Sequence, residues 1–441
     1  MRPQDLAALA TNPDSALATS DASRAAASAP EPVPMSRGLV ALLALASGAT
    51  VANLYYIQPL LSTVAHAFSI SDGTAGLLVT CAQVGYVAGL AFLVPLGDIL
   101  ERRRLISTIL LGTAVALAAC AASPSFGVLA AALIAVGALS VVAQIVVPLA
   151  STLAAPEERG QVVGTVMSGL LVGILSARTL SGLVAQVGGW RLVFALAAGA
   201  MLTLSLTLGR TLPTMAQAEP ARYRAALRSV ITLIAHEPVL RQRMVLGALG
   251  FACFSVLWTS IAFLLSAPPY GYDQAVIGLF GLAGAAGALI APVAGRLTDQ
   301  GHGRLALGGF LLVLLVSWAL LALGRSSVIA LIAGIIVLDL GVQGAHISNQ
   351  AAIYRLNAHA RSRLTTAYIV AMFLGGIVGS TLSSTIYAAA GWTAICWLGA
   401  GLSAVAILVF AATRRVGQSV DSSSDVSHSA MQARQYPAAR T

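Results

Sequence analysis

The chain has 441 residues, 58% hydrophobic and only 9% charged, with a formal net charge of +9 and a mean hydropathy of +0.86. Water-soluble domains carry roughly 25% charged residues, so this composition cannot build a water-facing surface. The positive excess falls in short breaks between apolar runs instead of one patch, which argues against nucleic acid as a partner and for membrane topology.

All 25 basic residues are arginine. With no lysine there is no G-x-x-x-x-G-K-[ST] motif, which excludes direct ATP hydrolysis on that motif. Cys81, Cys120, Cys253 and Cys396 each sit inside an apolar run without CxxC pairing, so neither a disulfide framework nor a thiolate metal site is expected. The histidines His66, His236, His302, His346, His359 and His428 are scattered along the chain. No metal, cofactor or cluster of catalytic groups follows from them, and an enzyme is not expected.

In chain order, residues 1–37 are rich in Ala, Ser and Pro and lack the basic and apolar regions of a signal peptide, so they read as a disordered cytoplasmic arm. A bilayer core of about 30 Å needs about 20 apolar residues per helix. Runs of that kind lie near 38–62, 74–97, 105–122, 126–149, 162–186 and 190–209, and again near 242–265, 274–297, 304–323, 328–350, 364–388 and 392–412. The expectation is an all-α membrane protein of twelve transmembrane helices: a half at 38–209, a cytoplasmic linker at 210–241, a second half at 242–412, and a disordered cytoplasmic tail at 413–441. Arg102, Arg103, Arg104, Arg159, Arg296, Arg304, Arg355, Arg361, Arg363 and the linker arginines fall on one side, against Arg191 and Arg325 on the other. This places both termini in the cytoplasm of a cell (inner) membrane protein. Within the linker, Arg222 to His236 carries Leu227, Ile231 and Ile234 on one helical face and Arg224 and Arg228 towards another, the pattern of an amphipathic helix on the inner membrane surface.

A shift of 202 residues aligns Arg159 with Arg361, Gly173 with Gly375, Thr179 with Thr381, Ser181 with Ser383 and Gly189-Trp190 with Gly391-Trp392. Six helices per half is an even number, so the copies have the same orientation in the membrane. They are expected to be parallel repeats about an axis along the membrane normal, with a solute site at their interface.

These residues resemble the major facilitator superfamily over roughly 38–412. The family signature between helices 2 and 3, G-x-L-(A/G)-D-(R/K)-x-G-(R/K)-(R/K), meets Leu96, Gly97, Asp98, Arg102 and Arg103 here, with Val94, Ile99 and Glu101 departing from it. Its copy after helix 8 keeps Gly295, Leu297, Asp299 and Arg304. A carboxylate at a helix end beside guanidiniums can lock two segments by charge-assisted hydrogen bonds and so bias one transport state over another. Asn53-Leu54-Tyr55-Tyr56-Ile57-Gln58-Pro59 in helix 1, together with Gly341-Val342-Gln343 and Ser348-Asn349-Gln350 in helix 10, resembles the bacterial efflux branch, which includes drug–proton antiporters and sugar exporters. The antiporter signature of helix 5, G-x-x-x-G-P-x-x-G-G, corresponds to Gly173, Ala177, Arg178, Ser181 and Gly182, small residues that allow close helix approach. Arg178 stands where the family has proline, and the family's arginine in helix 4 has no counterpart.

Two strongly ionisable residues fall well inside the expected hydrocarbon, Arg178 and Asp339. A charge there costs roughly 2.5–3.5 kcal/mol even on the lenient insertion scale, so it has a partner or a task. Asp339 is the candidate proton-coupling residue, since a carboxyl in low dielectric readily takes up a proton; Arg178 is the fixed charge. A structural ion pair is the competing reading. The candidate cavity residues are Asn53, Tyr56, Gln58, Gln83, Gln144, Trp258, Gln343, Asn349 and Tyr368, whose amides and aromatic faces suit uncharged or amphipathic solutes, with interhelical glue as the alternative for each. The leading expectation is a monomeric secondary transporter exporting a small organic solute, drug-like or sugar-like, in exchange for protons. Uptake or facilitated diffusion of a sugar or metabolite is the alternative, and a non-transporting sensor or membrane enzyme the remote one.

Overall fold

The computed structural model describes residues 35–155, 157–214, 223–288, 290–356 and 361–413. The disordered arm and tail expected at the termini lie outside them up to residue 34 and from residue 414, as do the side chains of Asp98, Arg222, Arg224, Leu227, Asp299 and Arg361. Every regular element among the described residues is a helix.

Helix α1 (Arg37–Ala52) starts where the Ser36 hydroxyl caps the Leu39 N–H at 3.2 Å. The run expected at 38–62 is not one helix. Pro59 has no N–H to donate and crowds the carbonyl four residues back, so the chain loosens over 53–57, tightens into a short 3-10 turn (Gln58–Leu60), and resumes as α2 (Leu61–Phe68). Then follow α3 (Asp72–Phe92), a second 3-10 turn (Val94–Asp98) at Pro95, and α4 (Arg102–Ala121). Helix α4 begins earlier than expected because the Glu101 carboxylate accepts from the N–H groups of Arg103 (3.1 Å) and Arg104 (2.8 Å). The fourth run is likewise split, into α5 (Phe126–Leu139) and α6 (Val142–Leu153).

Helix α7 (Arg159–Thr211) turns back on itself at Gly188 and Gly189, the latter at φ 76°, ψ 167°. Gly169 lies against Ala44 near the start of α1, Arg191 donates to the Ser123 carbonyl after α4, and Gly209 lies beside Ser107 near the start of α4. The second half repeats this geometry. After α8 (Tyr223–His236) come α9 (Pro238–Ser266), α10 (Gln274–Ala288), α11 (Ala291–Leu297), a π turn through Thr298–His302, α12 (Gly303–Leu323), α13 (Val328–Tyr354) and α14 (Arg361–Ala412). Helix α14 turns back at Gly391, φ 71°, ψ −165°, the repeat partner of Gly189. Gly375 packs on the Ala248 carbonyl of α9 as Gly173 packs on Gly48 of α1. Eight helices among the described residues are long and apolar enough to cross a membrane, and the two longest are the folded-back α7 and α14.

The end carrying α8 and Arg102 is called the linker end here, and the end carrying Gly189 and Gly391 the far end. Near the linker end one apolar cluster draws Tyr55, Tyr86 and Leu90 together with Phe251, Tyr368 and Phe373 from the second half. The Tyr86 and Phe373 rings sit 4.5 Å apart. Val230, Leu233 and Ile234 of α8 pack against this cluster, and α8 touches the Val94–Asp98 turn, α9 and α14. Ile231, grouped with Ile234 in the sequence reading, is 67% exposed, because the bundle itself takes the neighbouring stripe. Arg241 donates to the Ile234 carbonyl (3.0 Å) and to that of Ala235, satisfying the last turn of α8.

Two further contacts join the halves. Thr179 of α7 donates to the Gly278 carbonyl of α10 at 3.0 Å. In the repeat-related place, Thr381 of α14 shares a hydrogen bond with Thr80 of α3 at 3.3 Å.

Candidate functional site

The site begins with the break in the first span. Around Pro59 the backbone bonds tighten to three-residue steps: Leu54 to Val51 (3.2 Å), Tyr55 to Ala52 (2.9 Å), Gln58 to Tyr55 (3.2 Å) and Leu60 to Ile57 (3.1 Å). A carbonyl released by such a break needs a new donor in a dry interior. The Ser181 hydroxyl supplies one, donating to the Tyr56 carbonyl at 2.6 Å. The break also turns Gln58 towards α7, where its Oε1 accepts from Arg178 Nε at 2.6 Å.

Arg178 is 3% exposed. Its guanidinium carbon lies 3.9 Å from the centre of the Trp258 ring, 4.8 Å from that of Tyr55 and 5.4 Å from that of Phe254. Such contacts are stronger when desolvated. The Trp258 N–H in turn donates to Asp339 Oδ1 at 3.4 Å, so the indole stands between the two charges. Arg178 Nη2 has no hydrogen-bond partner. Glycines of α10 make the wall: a Cβ on Gly281 would meet that of Arg178 at 2.9 Å, and one on Gly284 would strike the Asp339 carboxylate.

Gln58, Arg178, Trp258 and Asp339 are thus brought together from α7, α9, α13 and the broken first span. The other candidates lie elsewhere. Tyr56 contributes its backbone carbonyl, whereas Asn53 bonds Ser140 at 3.4 Å, joining the breaks of the first and fourth spans within one half. Gln83 ties the halves, donating to Ser255 (3.1 Å) and accepting from Ser380 (3.4 Å); Gln144 donates to the Tyr86 hydroxyl at 3.4 Å. Tyr368 and Asn349 belong to a second polar cluster. The Tyr368 hydroxyl bonds His346 Nδ1 at 3.1 Å, and Arg243 donates to Asn349 Oδ1 at 3.4 Å. Gln343 is half-buried, also on α13.

Sequence reasoning passed over Tyr55 and Phe254. Phe254 was findable, since it lies four residues before Trp258 on the same helix face. Tyr55 was not, because the Pro59 break decides which of two adjacent tyrosines turns inward.

In the signature between α3 and α4, Arg102 Nε donates to the Gly97 carbonyl (3.0 Å) and Arg103 Nε to that of Gly209 (2.6 Å). In its copy, Gly295 is half-buried, Gly301 takes φ 82°, and the Arg304 guanidinium lies 5.6 Å from the Phe410 ring centre. In the helix 5 motif, Gly173 abuts the Gly48 backbone, Ala177 is fully buried, and a Cβ on Gly182 would lie 3.1 Å from Gly278 Cα. At the far end Ser62, Thr63, His66, Ser266, Tyr272, Gln274 and Ile277 line a recess. Among the described residues no group of three or more His, Cys, Asp and Glu could hold a metal ion.

A bundle of long apolar helices with a charge cluster buried between them is the build of a polytopic membrane transporter. The profile of the Major Facilitator Superfamily matches residues 43–344 and 270–433. A putative uncharacterized transporter of Escherichia coli (strain K12), YgaY, is 50% identical over 85% of this chain and 95% of its own. A probable transporter of Streptomyces coelicolor, SCO4007, is 34% identical over 83% of this chain and 86% of its own. Among solved structures, a point mutant of the nucleoside transporter NupG superposes with a TM-score of 0.71 at 14% identity, covering 85% of this chain and 99% of that one. The chain belongs to the Major Facilitator Superfamily. It is a multi-pass membrane transporter with a small-molecule substrate, not an enzyme.

Proposed function

We propose that this chain is a proton-coupled secondary transporter of a small organic solute, working by alternating access. On this reading the polypeptide crosses the inner membrane twelve times as two parallel six-helix halves, keeps both termini in the cytoplasm and acts as a monomer. The observation that carries it is Asp339, 5% exposed, held by the N–H of Trp258, whose ring also covers Arg178 from the other half. A carboxyl so placed can take up a proton from one side and release it to the other as the halves rock. Arg102 and Arg103 tie the α3–α4 turn to itself and to the end of α7.

Export in exchange for protons is the first reading, on the resemblance of helices 1, 5 and 10 to the efflux branch. Uptake together with protons is the second, and one observation favours it: the unpartnered Nη2 of Arg178 offers a seat to a negative group. The test is a solute screen in proteoliposomes under an imposed pH gradient, with an internal pH dye and Asp339→Asn as control. Wild-type protein is expected to move protons when its solute is supplied, with the sign of proton movement separating exchange from uptake. Unchanged pH dependence of solute flux in Asp339→Asn would refute the coupling role.

A further inference from the structure

The Arg178 cluster holds an imbalance that says more about the solute than about its direction. A guanidinium has five N–H donors in a rigid planar fork. Here Nε is satisfied by Gln58, and the faces are covered by aromatic rings, with Trp258 at 3.9 Å. The edge is not satisfied: Nη2 is buried and makes no hydrogen bond. Asp339, the nearby carboxylate, is engaged on the Trp258 N–H instead of on this edge. Leaving a buried charged donor unmade is costly, and the cost falls away if the edge is reserved for something that comes and goes.

Taking the chain as an organic-solute transporter, we infer that Arg178 is the docking point for an oxyanion group of that solute, and that the solute is a flat aromatic or otherwise amphipathic organic monoanion such as an aromatic carboxylate. The carboxylate meets the Nη edge of the fork, the geometry in which Arg recognises such groups, while the apolar body lies against the ring surfaces of Tyr55, Phe254 and Trp258. Gln58 holds Nε and fixes the rotation of the fork. The glycines Gly281 and Gly284 keep α10 free of side chains next to Arg178 and Asp339. The sequence-based expectation of an uncharged or amphipathic solute narrows here to an amphipathic one with a single negative charge.

The charge balance then sets the sign of coupling. Among the described residues, the titratable and charged groups facing the cluster are Arg178 from α7, Asp339 from α13 and Tyr55 from the broken first span; α9 and α10 present Phe254, Trp258 and glycines. With Asp339 ionised the pair is neutral, and an added anion brings an unbalanced negative charge into the membrane. With Asp339 protonated, Arg178 carries a net positive charge that the anion cancels. Anion and proton therefore load together, which sides with proton-linked uptake against exchange.

The test uses purified full-length protein and aromatic monocarboxylates, each paired with its neutral amide, benzoate with benzamide being the simplest pair. Binding is read from tryptophan fluorescence and from the thermal shift of the folded protein. At least one acid is expected to bind saturably, more tightly at pH 5.5 than at pH 7.5, with its amide weaker by about tenfold or more. Arg178→Gln is expected to erase the acid–amide difference, with a melting curve confirming that it folds. Asp339→Asn is expected to keep the acid bound and flatten its pH dependence. Equal affinity for acid and amide, tighter acid binding at the higher pH, or no binding by any acid of the panel overturns the inference. Proton-coupled flux of a neutral solute that survives Arg178→Gln would defeat it and leave the transporter reading standing.

Discussion

Helices α7 and α10 come from different halves and meet with almost nothing between them. A Cβ on Gly182 would lie 3.1 Å from Gly278 Cα and strike the Gln274 carbonyl; from the other side, a Cβ on Gly278 would lie 2.7 Å from the Arg178 carbonyl oxygen. The obstructing atoms are backbone, so the added methyl of Gly182→Ala forces the helices apart. Overpacking of this kind costs about 1–3 kcal/mol. The gain in helix propensity of Ala over Gly, about 1 kcal/mol, applies in every state of α7 and cancels from the equilibrium between states. At about 1.4 kcal/mol per factor of ten, Gly182→Ala is expected to shift the population about 5- to 150-fold towards arrangements open at the far end. A cysteine placed in the far-end recess by Ser266→Cys, with the four native cysteines replaced, reports this opening through its rate of labelling by an impermeant maleimide. Gly164→Ala, on the same helix with nothing within 4 Å of the new Cβ, is the control. Labelling in Gly182→Ala no faster than in Gly164→Ala would refute the reasoning.

Ser181→Ala leaves the Tyr56 carbonyl without its donor and is expected to destabilise the fold by about 1–3 kcal/mol; melting followed through reaction of the buried Cys120 and Cys253 thiols checks this. Gly189→Ala and Gly391→Ala force a backbone region that side chains rarely enter, at about 1–3 kcal/mol each. Both are expected to lower the melting point by similar amounts, while Gly199→Ala, with open space around it, leaves it unchanged or higher. Trp392→Phe removes the donor to the Leu321 carbonyl at 2.8 Å and is expected to cost about 1–3 kcal/mol in the same melts. Recovery of wild-type stability by Trp392→Phe would show that the carbonyl finds another partner.

The sequence carried the apolar spans and their duplication, because span length and the joint match of Arg159, Gly189 and Trp190 with their partners survive without coordinates. It also carried Arg178 and Asp339, whose charges stand out against hydrocarbon. It did not carry their separation by an indole. An ion pair and a tryptophan-bridged pair call for the same residues, and the choice depends on where the packing of α9 sets the Trp258 ring between them. The interruptions at 53–57 and at Ser140 were hidden as well, since hydropathy does not register a broken ladder of backbone bonds. Polar residues such as Asn53 and Gln83 read alike in sequence. Packing sorts them, Asn53 to the interior of one half and Gln83 to the seam between the two.

The reversals at Gly188–Gly189 and at Gly391 bear on how the protein can be probed. Each folded-back pair is a tight hairpin, with Trp190 or Trp392 buried beside the bend. An epitope tag spliced in beside either tryptophan is expected to disturb this packing, so mapping of the far surface is better begun at the loop through Tyr270.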